Sequence, residues 1–338
     1  MDGLAKASIL DIDGVAMPAA FTGLLDTYTS AAAYSTRKLK TGVTVAARIR
    51  RSGDDIEADV EFDSNGDISL TSPISNASSG TYTDLADFVD HSTTPRDAFC
   101  VEWKDQSGNG LHAQQPTAGG SGSQPKLYDA TTGLETEGAT TARAAFSLDG
   151  IDDHLVVASS TASFNYLHNG TSSNVFSVSR FGDSANPGSS MTLYDNGGFS
   201  SSLIGTGFGY SDATPRNDAY RMLVSTGVSS QFAVDTVSNN QITPNEQVLI
   251  YTSLDADNAT ATLRNEFGID GAILVGVNAA TNTPSTSDAS NNMFIGRYSG
   301  GSSLFLKGTV QELIFFSTDQ SSNRTDIETN INDYFDIY

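Results

Sequence analysis

Three acids stand at alternate positions in the stretch IEADVEF: Glu57, Asp59 and Glu61. On a strand they share one face, and Ile56, Ala58, Val60 and Phe62 share the other. Paired carboxylates are the apparatus of glycoside hydrolysis, and a retaining mechanism holds them about 5–5.5 Å apart. A regular strand separates residues i and i+4 by about 13 Å, at ~3.3 Å per residue, so Glu57 and Glu61 converge only if the sheet curves. The plainer reading is a half-buried strand with a charged outer face in an acid-rich chain. No catalytic residue is assigned on this pattern.

Other groups invite binding rather than bond breaking. FDSNGD sets Asp63, Asn65 and Asp67 at alternate positions, as calcium loops do. Asn65-Gly66 between two strands is equally a hairpin turn, and the later bidentate Glu of an EF-hand is missing, so no metal is assigned. Trp103 precedes DQSGNG, residues 105 to 110. An indole face beside a carboxylate and an amide suits a sugar ring, which makes Trp103, Asp105 and Asn109 the candidate glycan contacts. The same hexapeptide reads as a tight turn, with two glycines free to take positive φ and Asp and Asn bonding their own backbone. Asp149, Asp152 and Asp153 cluster at an Asp-Gly turn and read as a solvated turn. His91, His112, His154 and His168 have no metal-ligand spacing. There is no G-x-S-x-G elbow, P-loop or Cys-x-x-Cys motif, and no cofactor is expected.

The elements that must hold these residues are mostly strands. VTVAARI begins one at Val43, and short alternating runs follow at 175–181, 191–195, 220–225, 231–237, 247–254, 261–267 and 292–298, separated by Gly- and Asn-rich turns. That spacing is the signature of a β-sandwich. In RAAFSLDGIDDHLVV, Phe146 and Leu148 alternate before the turn, and Leu155 and Val157 after it. Near the end, Gly308, Val310, Glu312 and Ile314 alternate with Thr309, Gln311, Leu313 and Phe315, and from Leu313 to Phe316 both faces are apolar, as in a strand covered on each side. A short helix follows, capped from Ser321–Asn323, with Ile327, Ile331, Tyr334 and Phe335 on one face. Shorter helices are predicted around Leu24–Leu39 and Thr83–Val89, and Gly119–Pro125 reads as a flexible loop.

The 338 residues can bury a sizeable core as one large sandwich. Forty acidic residues against 18 basic give a net charge of −22, which argues against nucleic acid and against an anionic membrane surface. The single cysteine, Cys100, excludes an intrachain disulfide and is expected to be buried. The N-terminal stretch lacks a basic start and carries Asp2, Asp11 and Asp13, so it does not read as a signal peptide. No apolar run is long enough to span a membrane as a helix.

Four motifs in order, AYSTRKL (33–39), RIRRSGD (48–54), EADVEFDSNGD (57–67) and WKDQSGNGLHAQQ (103–115), resemble the N-terminal part of the catalytic domain of family-B α-L-arabinofuranosidases. The same set is similar to phage and bacterial proteins carrying a laminin-G-like module, and residues 143–157 resemble the opening of such a module. The resemblance implies a concanavalin A-like fold. Jelly-roll glycosidases also use an E-x-D-x-E strand, in which one Glu is the nucleophile, the Asp tunes it and the other Glu is the acid. The arabinofuranosidases' own catalytic motif has no match here, and their paired cysteines are missing.

The expectation is therefore an all-β protein: a concanavalin A-like jelly-roll β-sandwich over residues 26–338, with a family-like part at 26–135 and a laminin-G-like part at 136–338. An N-terminal arm (1–25) precedes it and a short C-terminal helix closes it. The function expected first is a non-enzymatic bacteriophage virion protein, a capsid decoration or tail component on the particle exterior. Other virion proteins or a second copy would be its partners and host glycans a candidate contact, with no nucleic acid and no membrane insertion. The alternative is a carbohydrate-active enzyme or carbohydrate-binding module.

Overall fold

The computed structural model describes residues 21–115, 121–182, 190–211, 219–227, 231–235, 245–260, 264–274 and 283–338. The expected arm lies outside them except for Phe21–Leu25. All described strand pairings are antiparallel, and they build two layers. One layer runs β20 (Ala272–Leu274), β19 (Asn265–Ile269), β18 (Gln247–Leu254), β13 (Ser173–Phe181) and β22 (Lys307–Phe316). The far edge of β22 is shared by β1 (Ala32–Ser35) and β11 (Phe146–Asp149). The other layer runs β4 (Ile74–Ser75), β3 (Glu57–Glu61), β2 (Val45–Arg51), β5 (Ala98–Trp103), β6 (Ala113–Gln114), β12 (Leu155–Val157) and β21 (Met293–Ile295). It continues through β14 (Met191–Asp195), β15 (Ile204–Ser211), β16 (Ala219–Thr226) and β17 (Gln231–Asp235). β7 (Lys126–Asp129) pairs with β5 of one layer and β11 of the other, joining the two, and carries β8 (Gly133–Leu134) on its edge. A separate hairpin, β9 (Thr136–Glu137) with β10 (Arg143–Ala144), stands apart. Strands from before and after residue 135 contribute to both layers.

The main core lies between the layers. Val175, Phe181, Ile250, Phe267, Val310, Leu313 and Phe315 meet Trp103, Leu155, Val157, Tyr194, Phe208 and Ile295 there. A second apolar layer covers the outside of the first sheet. Phe176, Val178, Leu249, Tyr251, Ile314 and Phe316 pack under α3 (Arg324–Phe335) and α1 (Leu24–Thr27). β13 and β22 are thus buried on both faces, as the apolar run at Leu313–Phe316 implies.

One sequence expectation fails inside β22, for a local reason. Strict alternation would put Val310 and Leu313 on opposite faces, yet both reach the main core. The register steps from Val178–Glu312 to Ser179–Val310, leaving Gln311 as an extra residue. This β-bulge resets the alternation. The freed Gln311 side chain donates to the carbonyls of Arg143 and Ala144.

α3 forms where its periodicity places it. Ile327, Ile331 and Phe335 are fully buried at i, i+4 and i+8, and Asp336 ends the helix in the left-handed region (φ 54°), its N–H on the Asn332 carbonyl at 2.7 Å. The expected cap at Ser321–Asn323 is absent: these residues form a 3-10 turn, Asn323 makes no side-chain cap, and Ser321 bonds Asp319 instead. The predicted helix over Leu24–Leu39 is also corrected. Only Leu24–Thr27 is helical, and Ala32–Ser35 is the fully buried strand β1. Pairing with β22 (Ala32 opposite Phe315, Ser35 opposite Glu312) outweighs the helix propensity of three alanines. The helix predicted at Thr83–Val89 is found as α2 (Leu85–Phe88), capped by the Asp84 carboxylate.

Candidate functional site

The motif taken as a glycan contact holds the fold together. Trp103 is 1% exposed, stacks edge-on against Phe146 at 5.0 Å between ring centres, and donates its indole N–H to the Ser35 carbonyl at 3.3 Å. Asp105 is 7% exposed. Its Oδ1 accepts from the N–H of Ala33 and Ser107, both at 2.9 Å, and its Oδ2 from the Ser107 hydroxyl (2.8 Å) and the Leu111 N–H (3.0 Å). Gln106, fully buried, accepts from the Leu39 N–H and donates to the carbonyls of Ser35 and Arg37. Asn109 is exposed at the turn, yet its amide donates to the Ala31 carbonyl at 2.9 Å. The expectation of a sugar stacked on Trp103 and bonded to Asp105 therefore gives way to a clasp. These side chains satisfy the backbone of the segment running through β1, whose polar groups must find partners once buried.

The acid-bearing strand tells a similar story. Ala58 and Val60 are fully buried, as the alternation requires. Arg48, on the neighbouring strand β2, bonds Glu57 and Asp59, each at 2.9 Å, and Asp59 also accepts from Asn76 at 2.8 Å. One guanidinium spans two of the three carboxylates. In FDSNGD, Asp63 accepts from the N–H of Asn65 and Asp67 and from the Ser69 hydroxyl. Asp67 bonds Arg143 at 2.8 Å and the Tyr334 hydroxyl at 2.6 Å, tying the loop to α3. Cys100 is buried, and burial pushes its thiol far above the usual range.

Asp149, Asp152 and Asp153 carry oxygens within 4.8 Å of one another, a spacing that suits a cation. Their bonds serve the turn: Asp149 Oδ1 accepts from the Ile151 N–H at 2.8 Å, and Asp153 Oδ2 from the Asp149 N–H at 3.0 Å. Burial, with Asp149 and Asp152 adding repulsion, pushes the Asp153 carboxyl up to about 8. His154, half-buried beside it, is held below the usual imidazole range by burial.

Two features have no signature in the sequence. Asp195, at the end of β14, is 0% exposed and accepts the N–H of Gly197 and Phe199 at 3.2 Å, the N–H of Ser299 at 2.9 Å, and the Ser299 hydroxyl. Burial raises its carboxyl to about 6, and the bonds it accepts pull the other way. It pins the loop after β14 to the loop after β21. The adjoining strand β15 was missed in the sequence because Gly205, Gly207 and Gly209 dilute its pattern. A Cβ at Gly207 would stand 2.4 Å from the Phe199 ring, so glycine lets that loop lie on the sheet.

The second feature is a cleft of about 430 Å³ on the outer side of the first sheet. Segments 136–139, 245–247, 270 and 336–337 wall it, so the β9–β10 hairpin, the start of β18, the β19–β20 turn and the end of α3 all contribute. Its polar side chains are Thr136, Glu137, Asn245, Glu246, Gln247, Asp270 and Asp336, and among the described residues no lysine, arginine or histidine lines it. Glu137 is paired with Arg180 at 2.6 Å. Asp270 accepts the Leu249 N–H at 2.9 Å, and burial, with Glu246 adding repulsion, holds its carboxyl above the usual range. The Asp270-Gly271 turn is visible in the sequence as a hairpin signal, with φ of 48° and 78°. Its neighbours in space are not.

The described chain is similar in structure to an arabinofuranosidase crystallised with arabinofuranosyl-α-1,2-xylobiose (TM-score 0.54, 15% identity, 92% of this chain and 64% of that one). It is similar also to a GH54 α-L-arabinofuranosidase soaked with a cyclic sulfate inhibitor (TM-score 0.57, 15% identity, 92% and 65%). A second GH54 structure, soaked with 4-nitrophenyl α-L-arabinofuranoside, matches with a TM-score of 0.53 at 13% identity, over 92% of this chain and 65% of that one. This chain thus spans about 64–65% of the length of those arabinofuranosidases. No protein-family profile matches the sequence, and no curated protein matches it by sequence. At such identities the likeness is one of fold: an all-β sandwich of the kind that arabinofuranosidases carry, as the N-terminal motifs imply.

Proposed function

We propose that this protein is a carbohydrate-recognising β-sandwich that binds glycans without cleaving them. The observation that carries the reading is the structural match to arabinofuranosidases over 92% of the chain. Binding is favoured over hydrolysis by the state of the acids in β3: Arg48 holds both Glu57 and Asp59 at 2.9 Å, an arrangement that suits a structural ion pair rather than a nucleophile and an acid facing a substrate. The test joins calorimetric titration with arabinan, arabinoxylan and β-glucan oligosaccharides to a release assay on 4-nitrophenyl α-L-arabinofuranoside. Binding without release supports the proposal. Turnover that disappears in Glu57→Gln establishes a hydrolase instead, and no binding to any member of the panel removes the carbohydrate reading.

Display of this sandwich on the exterior of a phage particle is the second proposal. It is supported by the sequence resemblance to phage proteins with a laminin-G-like module. The segment 1–21, with Leu4, Ile9, Leu10, Ile12, Val15, Met17 and Phe21, is its proposed attachment. Deleting residues 1–21 should leave a folded protein that no longer joins particles or self-associates, read by circular dichroism and sedimentation. Normal incorporation places attachment elsewhere.

A further inference from the structure

The cleft beside the end of α3 has features that a loop filling space does not need. Tyr338, 52% exposed, is not itself a wall of the cleft but packs its ring on Gly271, so close that a Cβ there would lie 2.9 Å from its hydroxyl. Two walls of the cleft, Asp270 and Ile337, are the immediate neighbours of Gly271 and Tyr338. The tyrosine backbone is fixed: its N–H donates to Asn332 Oδ1 at 3.0 Å, and its carbonyl accepts from Asn332 Nδ2 at 2.8 Å. Asn332 Oδ1 also takes the Ile337 N–H at 2.9 Å. An aromatic ring is thus held half in solvent next to a polar hollow.

We propose that this cleft is the glycan-binding site, that Tyr338 is its stacking platform, and that it selects neutral over anionic sugars. The inference rests on the carbohydrate reading above and names the site and ligand class for it. A sugar ring offers an apolar face to an aromatic side chain and hydroxyl donors at its edge. Asp270, Glu246 and Asp336 supply carboxylate acceptors, Asn245 keeps its amide N–H to donate while its oxygen accepts from Arg180 at 2.7 Å, Gln247 keeps its amide oxygen while its Nε2 donates to Gln311, and a carboxylate–hydroxyl bond is among the stronger neutral-ligand contacts. The cations near the cleft are already engaged: Arg180 bonds Glu137 at 2.6 Å, and Arg324 bonds Glu328 at 2.8 Å. A uronic or sialic acid would bring its charge against carboxylates with no lysine or arginine among the described lining residues to receive it. The site lies on the outer face of the sandwich, far in sequence from the Trp103–Asn109 motif.

The test is calorimetric titration of the full chain with neutral arabinoxylan oligosaccharides and with glucuronic acid-bearing oligosaccharides of the same length. Wild type should bind the neutral set and bind the acidic set at least about tenfold more weakly, the scale of one misplaced charge–hydrogen-bond partner. Tyr338→Ala and Asp270→Asn should each weaken neutral binding by roughly tenfold or more, with Tyr338→Phe close to wild type. Asn keeps an acceptor for the Leu249 N–H and tolerates the left-handed backbone at 270, and unchanged melting curves confirm that the variants fold. If wild type binds and both variants bind equally well, the glycan site is elsewhere and only this inference falls. If wild type binds no neutral oligosaccharide, the carbohydrate reading falls with it. Equal affinity for the acidic set overturns the charge selection.

Discussion

Two regions of this molecule carry the same chemical vocabulary and use it in opposite ways. Around residues 103–111, an aromatic ring, a carboxylate and amides sit close in sequence, yet Trp103 and Asp105 are buried and both carboxylate oxygens of Asp105 bond the protein itself. Around residues 137, 246 and 270, carboxylates and amides scattered through the chain meet around an open cleft, with the Tyr338 ring packed on neighbouring Gly271. Density of functional groups in sequence marks a loop that must satisfy itself. Convergence of such groups at the surface, from distant segments, marks a place for something else.

The largest predicted effect breaks this comparison at its closed end. Trp103→Ala removes a fully buried ring and the bond to Ser35, and should cost about 3–5 kcal/mol of stability in a denaturant titration. A loss below about 1 kcal/mol would mean that the clasp is dispensable and the ring free for a ligand. Ile331→Ala, under the helix whose end walls the cleft, should cost about 2–5 kcal/mol, and an unchanged melting curve would show that α3 does not depend on that face.

The turn at 149–153 sharpens the contrast, since its acids are crowded but only partly closed off. Asp153 titrates at about 8 in the folded protein against 3.8 ordinarily, so between those values the native state holds the extra proton. Stability from this group is therefore lost as pH rises from about 4 to about 8. Asp153→Asn abolishes that titration. The variant should match wild type near the acid end of the window and exceed it near pH 8, measured by melting temperature across the range. Parallel curves would dismiss the buried-acid account.

The smallest effect concerns β3. Glu57→Gln breaks one partly exposed ion pair and should change stability by less than about 1 kcal/mol, leaving glycan affinity unchanged. A larger loss would assign the Arg48 bridge a greater part in holding β2 to β3.

What was legible in the sequence followed from periodicity. Phe146, Leu148, Leu155 and Val157 point inward as their alternation requires, and Ile327, Ile331 and Phe335 form the buried face of α3. What failed depended on partners far along the chain. Ala32–Ser35 became a strand because β22 was there to pair with it, and the bulge at Gln311 shows only in the register against β13. β15 was unreadable because its glycines answer to a loop that folds over it. The cleft was unreadable for the same reason on a larger scale: Glu137, Glu246, Asp270 and Tyr338 have no common local pattern, and only the closed sandwich gathers them.

The pairing of β1 with β22 has a consequence for how the chain is made. Ser35 and Glu312, which bond across that pairing, are 277 residues apart. At roughly 5–20 residues per second, a ribosome needs about 15–55 s to travel from one to the other. Throughout that interval β1 has no β22 beside it, and once β13 has been made its Phe176 and Val178 lack the helix that will cover them. The nascent chain therefore carries an unpaired edge and an uncovered apolar face until β22 and α3 emerge, the circumstance in which long-range β pairing is slow and aggregation competes. Shielding by chaperones during synthesis should matter more to the yield of this protein than any single contact in its finished core.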